Sequence, residues 1–150
     1  KPTKLQPLNT SSLSTTSNTI SNIDIEITSP FSSWESNFPA DPGGLPYPYE
    51  VCRDVFRANA GLVSKLKLSN LNMDKVYDLK FYAARGFVGN VSKYTVKGTI
   101  VTMPHKSNIF GTVDILNLVP DTGGTLEISV NGDTSSNPGY IGVLQITERK

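Results

Sequence analysis

Residues 62–84 read LVSKLKLSNLNMDKVYDLKFYAA, and they decide the fold. Leu62, Ser64, Leu66 and Leu68 alternate with Val63, Lys65 and Lys67. After the polar turn 70–75, Tyr77, Leu79, Phe81 and Ala83 alternate with Asp78, Lys80 and Tyr82. Side chains of an extended chain point to opposite faces in turn, so a period of two marks strands with one face buried. Two such strands around a short polar turn predict antiparallel neighbours.

The same period recurs on both sides. Ile23, Ile25 and Ile27 alternate with Asp24, Glu26 and Thr28. Strands are expected at 51–56, 91–97, 99–103 and 110–119, and again at 126–130 and 140–147, with Gly, Pro, Asn and Asp at the turns between them. The last strand is apolar on both parities, which predicts cover on both faces. No stretch offers a helical stripe of three turns. Eight to ten short strands in 150 residues predict an all-β antiparallel sandwich.

Residues 1–19 are rich in Ser and Thr and poor in large apolar side chains. Such a stretch buries too little surface to offset its ordering entropy, so it reads as a linker or N-terminal arm ahead of a sandwich module at 20–150. No apolar segment resembling a signal peptide opens the chain, and no run of apolar residues is long enough to cross a bilayer. That fits a cytosolic protein or a piece of a longer secreted one. Fourteen Lys and Arg against thirteen Asp and Glu leave no electrostatic footprint for nucleic acid or an anionic membrane.

Catalytic patterns are missing. His105 is the sole histidine, and no G-x-S-x-G elbow accompanies it. The single cysteine, Cys52, has no disulfide partner and reads as a small buried hydrophobe. No His or Cys pair has zinc spacing.

Between 29 and 50 lies an irregular segment with five prolines and Trp34, Phe31, Phe38, Tyr47 and Tyr49. A long loop that rich in rings is either packed on itself or an exposed platform. Tyr47 and Tyr49 read equally well either way, Phe31 and Phe38 as buried, and Trp34 as a platform or a core plug. A platform would suit sugars, whose C–H faces stack on rings while planar polar groups fork onto the hydroxyls. Arg85, at the end of an apolar strand, offers such a fork or an ion pair with Asp78 or Asp54. Asn108 offers an amide or a turn cap. Asp24, Glu26, Asp41 and Asp54 are oxygen donors that calcium accepts.

The ordered set 66–85, Lys93–Gly98, Asn108, 118–128 and 139–146 resembles galactose-binding-like jelly-roll modules. These are appended to secreted, polysaccharide-active enzymes and surface proteins of bacteria. The resemblance spans about residues 50–147; the proline-rich stretch before Glu50 departs from it. It implies a jelly-roll fold, a non-catalytic module that binds polysaccharide or oligosaccharide, a secreted or cell-surface location, and a structural calcium ion in many members. The site expected from these readings is Trp34, Tyr47, Tyr49, Arg85 and Asn108 near one rim. The competing reading is a structural or adhesion spacer that contacts a neighbouring domain or another protein.

Overall fold

A computed structural model describes residues 22–36, 41–84, 90–104 and 110–149. The arm expected at 1–19, together with Phe38, Arg85, His105 and Asn108, lies outside the described residues.

The strands are β1 (Asp24–Ser29), β2 (Ser33–Ser36), β3 (Asp54–Ala58), β4 (Ser64–Ser69), β5 (Val76–Tyr82) and β6 (Val91–Val96). They continue as β7 (Thr99–Pro104), β8 (Val113–Leu118), β9 (Leu126–Gly132), β10 (Gly139–Ile141) and β11 (Val143–Arg149). One helical turn, α1 (Tyr49–Cys52), precedes β3. A five-stranded sheet runs β1-β4-β9-β6-β7, and two three-stranded sheets run β11-β5-β8 and β10-β3-β2. Every ladder between them is antiparallel.

The chain crosses between layers at nearly every step. β4 lies in the five-stranded sheet, β5 opposite it, β6 and β7 back again, β8 opposite and β9 back. That crossing pattern is a jelly roll, and the expected all-β sandwich is what forms. The alternating residues fill its centre. Leu66, Leu68, Tyr94, Val96, Leu126, Ile128 and Val130 come from one sheet, and Tyr77, Leu79, Phe81 and Ile115 from the other. Phe81 and Tyr94 stack across the layers, with ring centroids 4.4 Å apart and planes 7° from parallel. Each such side chain contributes about 1.5–3 kcal/mol by leaving water.

Ser64 and Ser92 are fully buried polar side chains on inward parities. Ser64 Oγ donates to the Pro30 carbonyl at 2.9 Å. Ser92 Oγ donates to the Tyr140 carbonyl at 3.0 Å and accepts the Tyr140 N–H. The Tyr94 hydroxyl donates to the same carbonyl at 2.6 Å. The three hydroxyls therefore tie the five-stranded sheet to its neighbours and are themselves matched.

Three sequence expectations are corrected. The strand expected at 51–56 begins at Asp54, because Val51 and Cys52 donate to the Pro48 carbonyl and wind into α1 instead. The strand expected at 110–119 occupies only Val113–Leu118. The single strand expected at 140–147 is two, β10 and β11, joined at Gly142. A side chain there would meet Val55 Cγ1 at 3.1 Å and two backbone oxygens at 3.3 Å. Glycine lets the chain change sheets in that space. The switch explains the double parity: Tyr140 and Ile141 serve the core, while Val143 packs on the opposite side of its sheet.

Burial raises the phenol pKa of Tyr47, Tyr77, Tyr82 and Tyr94. An unfolded tyrosine ionises near pH 10. Above that pH the unfolded chain has released protons that the folded chain still holds, so stability is full below about pH 10 and falls as pH rises through the folded values. Urea midpoints measured from about pH 9 to 11 are expected to drop, with the tyrosinate absorbance of these four rings appearing only on unfolding. Titration of these four rings near pH 10 in the folded protein, at constant midpoint, would contradict this.

Candidate functional site

The second buried cluster builds one rim of the sandwich. Phe81 points into the core, so Tyr82 points away from it, and the outer surface there is covered. Cys52, Tyr82, Ala84 and Val143 are buried together, with Leu45 and Tyr47 packed on them. The Tyr47 ring meets Tyr82 edge-on at 6.2 Å, and its hydroxyl donates to Gln145 Oε1 at 2.9 Å. Cys52 is fully buried, and that burial pushes its thiol pKa up, as befits a small hydrophobe rather than a nucleophile. Proline-rich segment 41–48 is thus a packed loop strapped to the outer face of the β11-β5-β8 sheet.

At the edge of this strap, Asp41 Oδ1 accepts the Gly43 N–H at 2.9 Å, which closes a tight turn. Gly43 and Gly44 follow with φ of 74° and 75°, a region glycine enters without strain. The Phe110 ring lies against Gly44: a side chain on Gly44 would meet Phe110 Cε1 at 2.8 Å. Yet Phe110 is 67% exposed. One side of the ring is braced by backbone, and most of it faces solvent.

Of the expected residues, Trp34 sits on β2, the edge strand of the smallest sheet, and is 50% exposed. It is a surface ring rather than a core plug. It stands opposite Phe56 in register, and Phe56 leans on buried Phe31 at 5.4 Å. Beside it, Arg57 Nη1 reaches Glu35 Oε1 at 2.9 Å across the same ladder. Tyr49 opens α1 and is half-buried. Tyr47 is half-buried as well, and its ring is engaged by Tyr82.

Arg85 and Asn108 lie outside the described residues, but the chain on either side of them is placed. Ala84 is buried in the second cluster, and Phe110 rests on Gly44. The carboxylates considered as partners for Arg85 have others: Asp78 bonds Arg149 and accepts the Asn117 N–H, and Asp54 bonds Arg53. Hydrogen bonds from Arg53 hold the Asp54 carboxyl below its ordinary range. Among the described residues no three His, Cys, Asp or Glu side chains lie close enough together to hold a metal ion. Of the four oxygen donors named for calcium, Asp24 bonds Asn70 beside β1, while Asp54 belongs to the smallest sheet.

Two solved structures are similar to the chain. One is a family 61 carbohydrate-binding module in complex with beta-1,4-galactotriose, 16% identical over 79% of this chain and 90% of that one, with a TM-score of 0.43. The other is a family 35 carbohydrate-binding module from Cellvibrio japonicus, 15% identical over 78% and 84%, with a TM-score of 0.35. No family model and no curated protein matches the sequence.

Phe110 escaped the reading of the sequence. It looked like the first apolar residue of a strand, and its parity said nothing of exposure. The signal that was present is Gly-Gly at 43–44, a place where another group approaches backbone.

Proposed function

We propose that this chain is a non-catalytic carbohydrate-binding module whose ligand face is the rim around Phe110. The observation that supports it is a ring braced by Gly44 and left mostly in solvent. Leaving a phenylalanine exposed forgoes the gain of burying it, and a fixed flat ring is what the C–H face of a pyranose packs on. Arg85, next in sequence to Ala84, and Asn108, two residues before Phe110, are of the types that would fork donors and acceptors onto the hydroxyls. Trp34 adds an exposed ring on the edge strand β2, whereas Tyr47, engaged by Tyr82, anchors the loop that carries Gly44 and leads to Tyr49 in α1. The module works in a secreted or surface-attached bacterial protein, holding an attached enzyme against polysaccharide by raising its effective concentration.

The test is binding of the intact chain to a panel of insoluble and soluble polysaccharides by pull-down and calorimetry. Phe110→Ala is expected to weaken binding about tenfold or more, from about 1–2 kcal/mol of ring contact, and to leave the melting temperature unchanged because the ring is exposed. Tyr47→Phe, which removes only a surface hydrogen bond, is expected to bind as the parent does. Undiminished binding by Phe110→Ala would remove the rim from the account. No binding across the panel would favour the spacer reading.

A further inference from the structure

On the outer face of the five-stranded sheet, Lys65 and Lys67 have acidic residues in register beside them and Lys93 does not. Lys65 Nζ lies 2.7 Å from Glu127 Oε1, and Lys67 stands in register between Glu26 and Glu127. Lys93 stands between Thr102 and Asn131, both neutral, and forms no ion pair among the described residues. A cleft of about 210 Å³ opens there. Leu62 and Val63, Lys93 and Asn131, and Asp133 and Thr134 line it.

Its walls are held in place. The Ser29 hydroxyl donates to the Val63 carbonyl at 3.0 Å, and the Leu62 N–H donates to the Asn59 carbonyl at 3.0 Å. Asp133 Oδ1 accepts the Thr134 N–H at 3.0 Å and Asn137 Nδ2 at 2.8 Å. The Asp133 N–H bonds the Val91 carbonyl at 3.0 Å. A cleft preformed in this way loses little freedom when filled.

The lining selects a ligand class. Lys93 donates only; the Asn131 amide and Thr134 hydroxyl both donate and accept; Asp133 Oδ2 accepts. The ammonium and the carboxylate cancel, so a charged ligand gains at one group and loses at the other. Vicinal hydroxyls, which donate and accept at once, use the whole set. Leu62 and Val63, 55% and 46% exposed, offer aliphatic surface to a C–H face. The volume lies below the roughly 300–1,000 Å³ of sites that enclose drug-sized molecules. It has room for about one ring of a ligand.

We propose that this cleft is a second glycan site, which takes a single neutral sugar residue. It rests on the reading of the chain as a glycan binder but not on the rim. Lys93 and Asn131 project from the outer face of one sheet, while the Tyr47–Tyr82 cluster that carries the rim lies on the outer face of the other. The two sites look away from each other, so one molecule engages two polysaccharide segments.

The experiment is amide chemical-shift mapping of the full chain with galactose, glucose, mannose and xylose, and with glucuronate as the charged probe. At least one neutral sugar is expected to shift the amides of Leu62, Val63 and 131–135. Those shifts should persist in Phe110→Ala and weaken tenfold or more in Asn131→Ala and Lys93→Met, both with an unperturbed folded spectrum. Shifts at the rim alone, a preference for glucuronate, or cleft shifts that survive both substitutions would overturn the second site and leave the rim standing. Shifts at the cleft alone would support it and discard the rim. No shift anywhere would overturn both.

Discussion

Gly132→Ala is expected to destabilise the protein by about 3 kcal/mol or more, at or beyond the upper end of the usual penalty for overfilling a packed site. Gly132 ends β9, opposite Ser92. An added Cβ would stand 1.9 Å from the Asn137 carbonyl oxygen and 2.5 Å from its carbon. These are backbone atoms, so no rotamer change relieves the clash. Gly139 is its counterpart: a Cβ there would lie 2.4 Å from the Asn131 carbonyl carbon. Together the two glycines let segments 131–132 and 137–139 pass in backbone contact. Opening that contact moves the 133–138 loop and the start of β10 with it, and puts the Asp133 N–H bond to Val91 at risk. At this size the loss lowers the melting temperature by roughly 10 °C. Gly98→Ala is the control. Its φ is 79°, but nothing lies within 4 Å of the added atom, so only the left-handed penalty of about 1–2 kcal/mol applies. Equal melting temperatures for the two variants would refute the close-approach argument.

Phe81→Ala is the other large effect, about 3–5 kcal/mol. Phe81 is fully buried and stacks on Tyr94, so the ring fills the space where the two layers face each other. Its removal loses the transfer energy and leaves a cavity between sheets that relax only as units. Tyr94→Phe separates the stack from the hydrogen bond. It keeps the ring and drops the hydroxyl donated to the Tyr140 carbonyl, which retains the Ser92 hydroxyl at 3.0 Å. The expected cost is about 1 kcal/mol. Urea unfolding of both variants decides it: a larger loss for Tyr94→Phe than for Phe81→Ala would mean that the polar tie, not the stacked pair, holds the layers together.

The alternation at 62–84 made the sandwich legible, because burying one face of a strand forces a period of two whatever the partner. It even placed Ser64 inward, and the Pro30 carbonyl satisfies its hydroxyl. The chain's excursions were harder to read. α1 depends on the Pro48 carbonyl accepting two N–H groups, a matter of local geometry rather than pattern. The change of sheet at Gly142 looked like one doubly covered strand because both halves are apolar. At the site, the rings of segment 29–50 stood out by composition, but composition does not say which ring is covered. Tyr47 is engaged by Tyr82, a contact 35 residues away in sequence, and Phe110 is exposed because Gly44 leaves room behind it. Both facts arise from tertiary packing.

Asp24 opens β1 opposite Ser69, and Arg149 closes β11 opposite Val76. The two described extremities therefore emerge side by side, flanking the turn at 70–75, while Tyr82, Val113 and Val143 gather at the far tip. Phe110, three residues before Val113, belongs to the end of the domain opposite both described extremities. The architecture is that of a probe held by its handle.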